Sequence, residues 1–317
     1  MGLGSLLLVA GALTGWGTSG AANPLHGLSA SPPLASAAPT IPVGSSSHTI
    51  TVGGLVRTYI LYRPADLPAG APLVVMLHGG YGSAAGAEHT YGWDPEADTE
   101  HFIVAYPDGL NHAWNTDGGC CGKPATDDVD DVAFITQMVA AIEQAIPIDR
   151  SRIYATGISN GGIMDYTLAC KTAIFAAIGP DSATELAPCP HPHRLSVIHI
   201  HGTADPIIPY NGGPGENIGV IIDGPAIPAL NATWRAIDRC AAPTVTTSGV
   251  VTTSVASCPR GRVVELITIA GAGHEWPDAI PNPAAEKILH TGPPSTALNA
   301  TQVIWQFFES HPRPRWQ

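Results

Sequence analysis

The sequence predicts an α/β fold with one doubly wound, mostly parallel sheet, and three observations carry this prediction. Short and almost wholly apolar runs recur along the chain, at residues 72–77, 102–106, 195–200 and 263–269. Runs of this kind are typical of strands that are buried on both faces. Apolar residues at helical spacing occupy 129–146, between two of these runs. Polar or glycine-rich loops follow the runs directly, and strands that alternate with helices in this way pair in parallel.

An antiparallel hairpin is predicted at the N-terminal edge of this sheet. Polar and apolar residues alternate over 47–52 and again over 55–62. Gly53 and Gly54 separate the two segments, and this dipeptide favours the tight turns of hairpins. At the other end of the chain, residues 297–310 are predicted to form a closing helix.

The acidic stretch 126–131 is predicted to begin the helix over 129–146. Carboxylates interact favourably with the N-terminal end of a helix dipole. A calcium site is the alternative, but the stretch lacks the central glycine and the closing glutamate of a calcium-binding loop. The start of a helix is therefore the favoured interpretation.

Ser159 separates a predicted strand from a predicted helix within the pattern Gly-x-Ser-x-Gly. The residues before it, 152–158, predict a buried strand, and those from 161 to 168 predict a helix. A turn this tight leaves no room for side chains two positions before and two positions after the serine. Its hydroxyl then projects above the sheet. This arrangement is the nucleophile elbow of α/β hydrolases, so we predict the α/β-hydrolase fold and Ser159 as its nucleophile.

The acid and the histidine that activate such a serine should follow it in that order. Asp205 lies in a loop just after the strand predicted at 195–200, and His274 lies in a loop after the strand predicted at 263–269. The carboxyl ends of parallel strands meet at one edge of a sheet, which would bring both loops to Ser159. We therefore predict a triad of Ser159, His274 and Asp205. A turn-forming aspartate and a surface histidine are the alternatives.

The loop after the strand at 72–77 is predicted to complete an oxyanion hole. Glycines in this loop let the backbone approach a substrate oxygen closely. One N–H would come from Gly80 or Tyr81, and the second from Asn160, the residue after the nucleophile. A plain glycine turn is the alternative. Residues 209–232, rich in Gly, Pro and Ile, are predicted to form loops around the site, partly as a lid.

With the serine turn and the loops described above, the chain resembles the secreted esterase family that groups polyhydroxybutyrate depolymerases with feruloyl and acetylxylan esterases. The stretches that match this family span most of residues 48–311. They are Arg57-Thr58-Tyr59, Leu77-His78-Gly79-Gly80, Tyr106-Pro107-Asp108-Gly109, Trp114-Asn115, Cys120-Cys121-Gly122, Asp130-Asp131-Val132, Gly157 to Gly162, His199 to Asp205, and Gly273-His274-Glu275-Trp276-Pro277.

The resemblance implies a serine carboxylic-ester hydrolase without a metal or organic cofactor. The family's serine, aspartate and histidine fall on Ser159, Asp205 and His274. Two departures leave this triad intact: the segment before the histidine is Gly-Ala-Gly, and Ala133 replaces a glycine. The implied substrates are feruloyl or acetyl esters of plant-wall polysaccharide, with a polyhydroxybutyrate polyester as the alternative.

Trp114 and Trp276 lie in family-matching loops near the predicted cleft. Their aromatic faces could bind a feruloyl ring or a sugar, and we predict them as substrate-binding residues. Packing alone is an equally good explanation of either residue.

Composition disfavours polyanionic partners, and the N-terminus predicts an exported protein. The 317 residues include only 13% charged residues and carry a net charge of −12, which argues against nucleic acid and an anionic membrane surface as partners. The apolar run 3–13 is too short to span a bilayer, and small residues follow it. We predict a signal peptide at 1–21, a linker at 22–47 and a catalytic domain at 48–317. A disordered tail is the alternative for the first segment, and the oligomeric state stays open.

Six cysteines in an exported chain suggest disulfides. Cys240 and Cys258 flank one excursion before the strand at 263–269 and are the best predicted pair. The pairing of the other four cysteines stays open, and it includes a possible bridge between neighbours 120 and 121. A zinc site is disfavoured because the chain has no CxxC pair. His199 and His201 share one strand face, and we predict hydrogen-bonded core groups there rather than a metal pair.

Two rival functions are weaker. A serine peptidase of the prolyl-oligopeptidase type carries a large propeller domain, for which 317 residues leave no room. A noncatalytic binding module would not require a complete set of serine, acid and histidine. We expect no folded module on the far side of the linker at 22–47, and this expectation favours polysaccharide-borne or soluble esters over solid polyester.

Overall fold

The computed structural model describes residues 41–283, 286–287 and 291–314. Its strands are β1 (Gly44–Val52), β2 (Leu55–Arg63), β3 (Ala71–Leu77), β4 (Ile103–Pro107), β5 (Ile148–Ile158), β6 (Ala177–Asp181), β7 (Ser196–Gly202), β8 (Gly213–Pro214), β9 (Asp223–Gly224), β10 (Thr244–Ser248), β11 (Val251–Ser257) and β12 (Val263–Ile269). Its helices are α1 (Ala84–Thr90), α2 (Trp93–Glu100), α3 (Gly122–Thr126), α4 (Asp131–Ala145), α5 (Asn160–Lys171), α6 (Ile227–Asp238) and α7 (Ala300–Ser310).

Ten strands form one sheet in the order β1-β2-β4-β3-β5-β6-β7-β12-β11-β10. The six central strands, from β4 to β12, pair in parallel. At the N-terminal edge, β1 and β2 form an antiparallel hairpin with Val52 opposite Leu55. The predicted fold class is therefore confirmed: one mostly parallel sheet with an N-terminal hairpin.

Helices cover both faces of the sheet, which explains why the central strands are almost wholly apolar. Leu73, Val75 and Leu77 of β3 pack in one hydrophobic cluster with residues of α4, α5 and α6. The alternate residues Val74 and Met76 pack in a second cluster with residues of α1, α2 and α7. Side chains of a strand point alternately to its two faces, so a doubly wound sheet needs apolar residues at every position.

Capping residues set the start of two predicted helices. The Asp130 carboxylate accepts a hydrogen bond from the Ala133 N–H at 2.8 Å and begins α4, as predicted for the acidic stretch. The Asn299 side chain accepts from the Gln302 N–H at 2.9 Å, so α7 begins at residue 300 rather than at 297.

A second hairpin, formed by β10 and β11, closes the other edge of the sheet, and the sequence does not predict it. Strand β10 is exposed along its whole length and β11 is largely half-buried, so neither shows an apolar alternation. Threonines pair across them, with the Thr247 and Thr252 hydroxyls 3.1 Å apart. Helix α6 begins at Ile227, within the stretch 209–232 that was predicted to form loops, so the loop prediction is wrong from residue 227 onwards.

The predicted domain boundaries lie partly outside the described residues. The predicted signal peptide lies outside the described residues, as does the linker up to residue 40. Strand β1 begins at Gly44, inside the stretch predicted as linker, so the folded part begins earlier than residue 48. Among the described helices, none combines the length and the apolar character that crossing a membrane requires.

Three disulfides join the six cysteines. One links Cys240 to Cys258 and ties the end of α6 to the end of β11. The others link Cys170 to Cys189 and the neighbours 120 and 121, which resolves the pairing that the sequence left open.

Candidate active site

Ser159 occupies a sharp turn between β5 and α5. Its φ of 56° and ψ of −122° lie in a region that residues with side chains rarely adopt. Neighbouring glycines are required by close backbone contacts. A Cβ on Gly157 would lie 2.7 Å from the Leu77 carbonyl oxygen, and one on Gly161 would lie 2.3 Å from the same atom. The strained turn leaves the serine partly exposed on the carboxyl edge of the sheet.

Asp205 and His274 meet at the same edge. The His274 Nδ1–H donates to Oδ2 of Asp205 at 2.8 Å, and the carboxylate is fully buried. The other oxygen, Oδ1, accepts from the N–H groups of Ile207 and Ile208, each at 2.8 Å. Burial alone would raise the pKa of Asp205, but the neighbouring His274 and these hydrogen bonds hold its pKa below the ordinary value. The aspartate is therefore an ionised acceptor in a fixed orientation.

Two hydrogen-bonded steps connect the serine turn to the histidine loop. The Ser159 N–H donates to the Asp181 carbonyl at 3.0 Å, at the end of β6. The next residue, Ser182, donates its hydroxyl to the Glu275 carbonyl at 3.1 Å. Glu275 directly follows His274. The turn after β6 therefore links the two loops, and the three predicted triad residues lie at one edge of the sheet.

A buried chain of hydrogen bonds lies behind Asp205. The Tyr166 hydroxyl is 2.7 Å from Nδ1 of His199, Nε2 of His199 is 3.0 Å from Nδ1 of His201, and Nε2 of His201 is 2.8 Å from the Ile208 carbonyl. A carbonyl can only accept, so His201 donates from Nε2 and accepts at Nδ1. The same logic makes His199 a donor at Nε2 and Tyr166 a donor to His199.

The two imidazoles in this chain of hydrogen bonds are neutral, and the chain ends next to Asp205. Burial lowers the pKa of both His199 and His201. The His201 Nε2–H also lies 3.4 Å from Oδ2 of Asp205, the oxygen that accepts from His274. The pair is therefore a hydrogen-bonded core group, and its fixed tautomers support the position of the aspartate.

The loop after β3 passes directly over the serine turn. A Cβ on Gly79 would lie 3.5 Å from the Ser159 Cβ, and one on Gly80 would lie 3.9 Å from the Asn160 Cβ. The two predicted sources of the first oxyanion donor differ in the structure. The Tyr81 N–H donates to the His112 carbonyl at 2.8 Å and is thus engaged, whereas Gly80 makes no such bond among the described residues. Gly80 is therefore the better candidate.

His78 holds this loop in place. It is buried, accepts from the Gly109 N–H at its Nε2 at 2.9 Å, and donates from Nδ1 to the Gly79 carbonyl at 2.8 Å. Burial lowers the pKa of His78, which keeps the ring neutral for these two roles. The position of His78 at the end of a predicted strand is the one sequence signal for this role.

Asn160, the second predicted oxyanion donor, has a fixed side chain. Its Oδ1 accepts from the Trp114 N–H at 2.7 Å, and its Nδ2 donates to the Trp114 carbonyl at 3.1 Å. As the first residue of α5, Asn160 has a backbone N–H without an intrahelical acceptor. The residue is buried, so its backbone is held next to the serine.

Trp114 and Trp276, the predicted cleft walls, are instead buried, and this prediction is corrected. Trp114 is 0% exposed and donates its Nε1–H to the His78 carbonyl at 2.8 Å. Trp276 is 2% exposed and donates to the Thr301 hydroxyl at 3.0 Å. Each indole finds an internal acceptor and packs in the core, so neither presents a face to a substrate in this structure.

The exposed aromatic residue beside the site is Tyr81, for whose side chain the sequence predicts no role. It is 66% exposed, and its hydroxyl donates to the Ile218 carbonyl at 2.6 Å. The ring therefore bridges the loop after β3, called the oxyanion loop below, and the loop between β8 and β9. Its position directly after Gly80 is the sequence signal that could have identified Tyr81 as a residue of the site.

One set of possible metal ligands occurs among the described residues, formed by Cys170, Glu185 and Cys189. The two sulfur atoms are bonded to each other. A disulfide has no thiolate to offer a metal, so this group is interpreted as a disulfide with a neighbouring carboxylate.

Comparisons with known proteins find esterases among the relatives of this chain. Feruloyl esterase B of Piromyces equi is 31% identical over 221 residues, which cover 64% of this chain and 39% of that protein. A probable feruloyl esterase C of Aspergillus flavus is 34% identical over 168 residues, covering 50% of this chain and 58% of its own length. The chain thus spans about half the length of these curated relatives. No protein-family model matches it.

A solved structure agrees with the fold alone. The acetyl xylan esterase from Aspergillus awamori superposes with a TM-score of 0.55 at 15% identity, over 77% of this chain and 99% of that one. The two proteins therefore share the same overall fold, which in this chain is built on the central parallel sheet. The chain is similar to feruloyl esterases over half or more of its own length, and it has the α/β-hydrolase fold.

Proposed function

We propose that the protein is a serine hydrolase of carboxylic esters, with Ser159 as nucleophile, His274 as general base and acid, and Asp205 as the residue that orients His274. The observation that carries this proposal is the hydrogen bond from His274 Nδ1–H to the buried Asp205 carboxylate at 2.8 Å. It leaves Nε2 as the unprotonated nitrogen, which is the form that can accept a serine proton.

The proposed reaction has two halves. The Ser159 hydroxyl attacks the ester carbonyl while its proton moves to Nε2 of His274, and the N–H groups of Asn160 and Gly80 stabilise the oxyanion. His274 then returns the proton to the departing alcohol, which leaves an acyl-enzyme. Water, deprotonated by His274, attacks this acyl group and releases the acid.

We propose feruloyl or acetyl esters of plant-wall polysaccharide as the substrates. Relatives named feruloyl esterase support this class. The exposed Tyr81 ring also supports it, because it provides an aromatic surface next to the oxyanion loop. Polyhydroxybutyrate remains the alternative, and it rests on the family resemblance alone.

Secretion is also a proposal. Three disulfides are typical of proteins that fold in an oxidising compartment. They agree with the signal peptide predicted at residues 1–21.

Steady-state kinetics of Ser159→Ala tests the chemistry. Loss of a triad nucleophile should reduce kcat on a p-nitrophenyl ester by roughly 10⁴-fold or more. Ser248→Ala, on the exposed strand β10, is the matched control and should keep wild-type activity. A folded Ser159→Ala protein with a tenth of wild-type activity would reject the proposed mechanism.

A side-by-side assay tests the substrate. Feruloylated arabinoxylan oligosaccharide, acetylated xylo-oligosaccharide and a 3-hydroxybutyrate oligomer would be compared by kcat/KM. We expect the two saccharide esters to be preferred, and Tyr81→Ala should raise KM for the feruloyl ester more than for the acetyl ester. A preference of about tenfold or more for the hydroxybutyrate oligomer, one decade in kcat/KM, would favour the polyester assignment instead.

A further inference from the structure

A cavity of about 860 Å³ lies at the edge of the sheet opposite to the proposed catalytic residues. Its walls include Ala176, Leu195 and Arg262, which directly precede β6, β7 and β12. Asp205 and His274 follow the other ends of β7 and β12. Seven-residue strands separate the two edges by about 20 Å, at roughly 3.3 Å per residue. The cavity is therefore distinct from the candidate active site.

The cavity concentrates positive charge in an acidic protein. Five arginines line it, whereas the whole chain contains 14 Lys and Arg and has a net charge of −12. They are Arg194, Arg239, Arg260, Arg262 and Arg313. One carboxylate, that of Asp238, also lines it, and the Arg262 Nε–H donates to this carboxylate at 2.7 Å. Asp238 also lies near Arg194, and the residues that line the cavity thus include five arginines and one aspartate.

Backbone contacts hold two of these arginines at the cavity wall. The Arg194 Nε–H donates to the Ile237 carbonyl at 3.0 Å, which fixes the plane of its guanidinium. The backbone N–H of Arg313 donates to the Ser151 carbonyl at 2.7 Å, and this bond anchors the residue at the wall. Arg239 ends α6 in a left-handed conformation and is exposed.

Arg313 supplies the observation that points to a ligand. Its Nη2 is buried and makes no hydrogen bond in the described part of the chain. Burial also lowers the pKa of this guanidinium. A buried donor without an acceptor is destabilising, and an anion in the cavity would provide the missing acceptor.

We propose that this arginine-lined cavity binds an oxoanion, and that its ligand is the carboxylate of a uronate-bearing saccharide. Guanidinium groups bind carboxylates through two parallel hydrogen bonds, and several of them can hold successive charges of one chain. The cavity volume is within the range of small-molecule sites. Only the choice of a saccharide rests on the proposed function, whereas oxoanion binding rests on the cavity itself.

Calorimetric titration of the full-length protein tests this assignment, with trigalacturonate, neutral xylotriose and inorganic sulfate as the probes. Trigalacturonate should bind at low salt, with an affinity that falls as salt is added, and more tightly than sulfate. Xylotriose should not bind at the cavity. The double variant Arg194→Gln/Arg313→Gln should weaken trigalacturonate binding by about tenfold or more, because two charge-assisted contacts are lost.

Arg63→Gln, at the end of β2 and outside the cavity, is the matched control and should bind like the wild type. Should the double variant fold poorly, Arg239→Glu at the exposed wall reverses one positive charge of the cavity and should also weaken trigalacturonate binding. Unchanged binding in a folded cavity variant, or no binding of trigalacturonate by the wild type, would overturn the proposal. Equal affinity for sulfate and trigalacturonate would overturn the saccharide assignment.

Two further measurements separate this proposal from the proposed function. The Ser159→Ala protein should still bind trigalacturonate, and the cavity variants should keep wild-type activity on a p-nitrophenyl ester. Binding that disappears in Ser159→Ala would place the ligand at the active site and overturn the assignment of the cavity.

Discussion

Asp205→Asn is predicted to trap His274 in the wrong tautomer. The Oδ1 atom of Asp205 accepts from the backbone N–H groups of Ile207 and Ile208. In the variant these two donors should select the amide orientation in which oxygen replaces Oδ1. The amide NH₂ then faces His274 Nδ1, which must become an acceptor, and the ring proton moves to Nε2.

The structure gives the size of this preference. The opposite amide orientation would set NH₂ against two N–H groups and leave both of them unsatisfied, which costs about 1–3 kcal/mol each, or about 2–6 kcal/mol together. The variant should therefore populate almost only the tautomer that cannot accept the Ser159 proton. We expect kcat to fall by about 10⁴-fold, equivalent to about 5 kcal/mol of transition-state stabilisation.

Two assays check this reasoning. Steady-state kinetics on a p-nitrophenyl ester measures the loss, and ¹⁵N NMR of the imidazole reports which nitrogen of His274 carries the proton. Asp66→Asn, in an exposed loop after β2, is the matched control and should keep wild-type activity. A folded Asp205→Asn protein that retains Nδ1–H on His274, or a tenth of the activity, would refute the tautomer argument.

Three further changes have defined outcomes. Gly161→Ala places a Cβ 2.3 Å from a backbone carbonyl oxygen and should cost about 1–3 kcal/mol in urea unfolding, whereas Gly292→Ala, with open space around it, should not. Replacing Cys240 and Cys258 by serine opens one disulfide loop and should cost about 3 kcal/mol in the same assay; an unchanged midpoint would show that the bond contributes nothing. Burial raises the pKa of Glu265 to about 7, above its unfolded value, so its contribution to stability is present at pH 4 and is lost as pH rises through 7. Glu265→Gln should therefore raise Tm relative to the wild type at pH 8 but not at pH 4, and equal shifts at both would contradict this.

The central sheet and the order of the candidate residues follow from the sequence because both have local signals. Strand β12 was predicted with its observed bounds, since an apolar run between polar loops defines it. Ser159, Asp205 and His274 follow β5, β7 and β12, and their meeting needs only the rule that parallel strands end at one edge.

Other features depend on contacts between distant segments and have no local signal. The burial of Trp114 is decided by the His78 carbonyl, 36 residues away. The chain from Tyr166 through His199 to His201 needs the geometry of β7 against α5 before its proton positions can be assigned. The arginines of the distal cavity come from four separate segments, so no basic run announces them.

The polar hairpin of β10 and β11 escaped prediction for a different reason. Its strands carry threonine and serine at exposed positions. They are held in the sheet by the pairing of β11 with β12, and not by the burial of an apolar face. Periodicity arguments depend on one buried face, which this edge does not have.

Covalent labelling by a fluorophosphonate tests the central claim most directly, because the reagent phosphonylates an activated serine and mimics the tetrahedral intermediate. Intact-mass spectrometry should find one label per chain, peptide mapping should place it on Ser159, and esterase activity should fall in proportion to labelling. Ser159→Ala should remain unlabelled. A label on another residue, or ester hydrolysis that persists in fully labelled protein, would contradict the account.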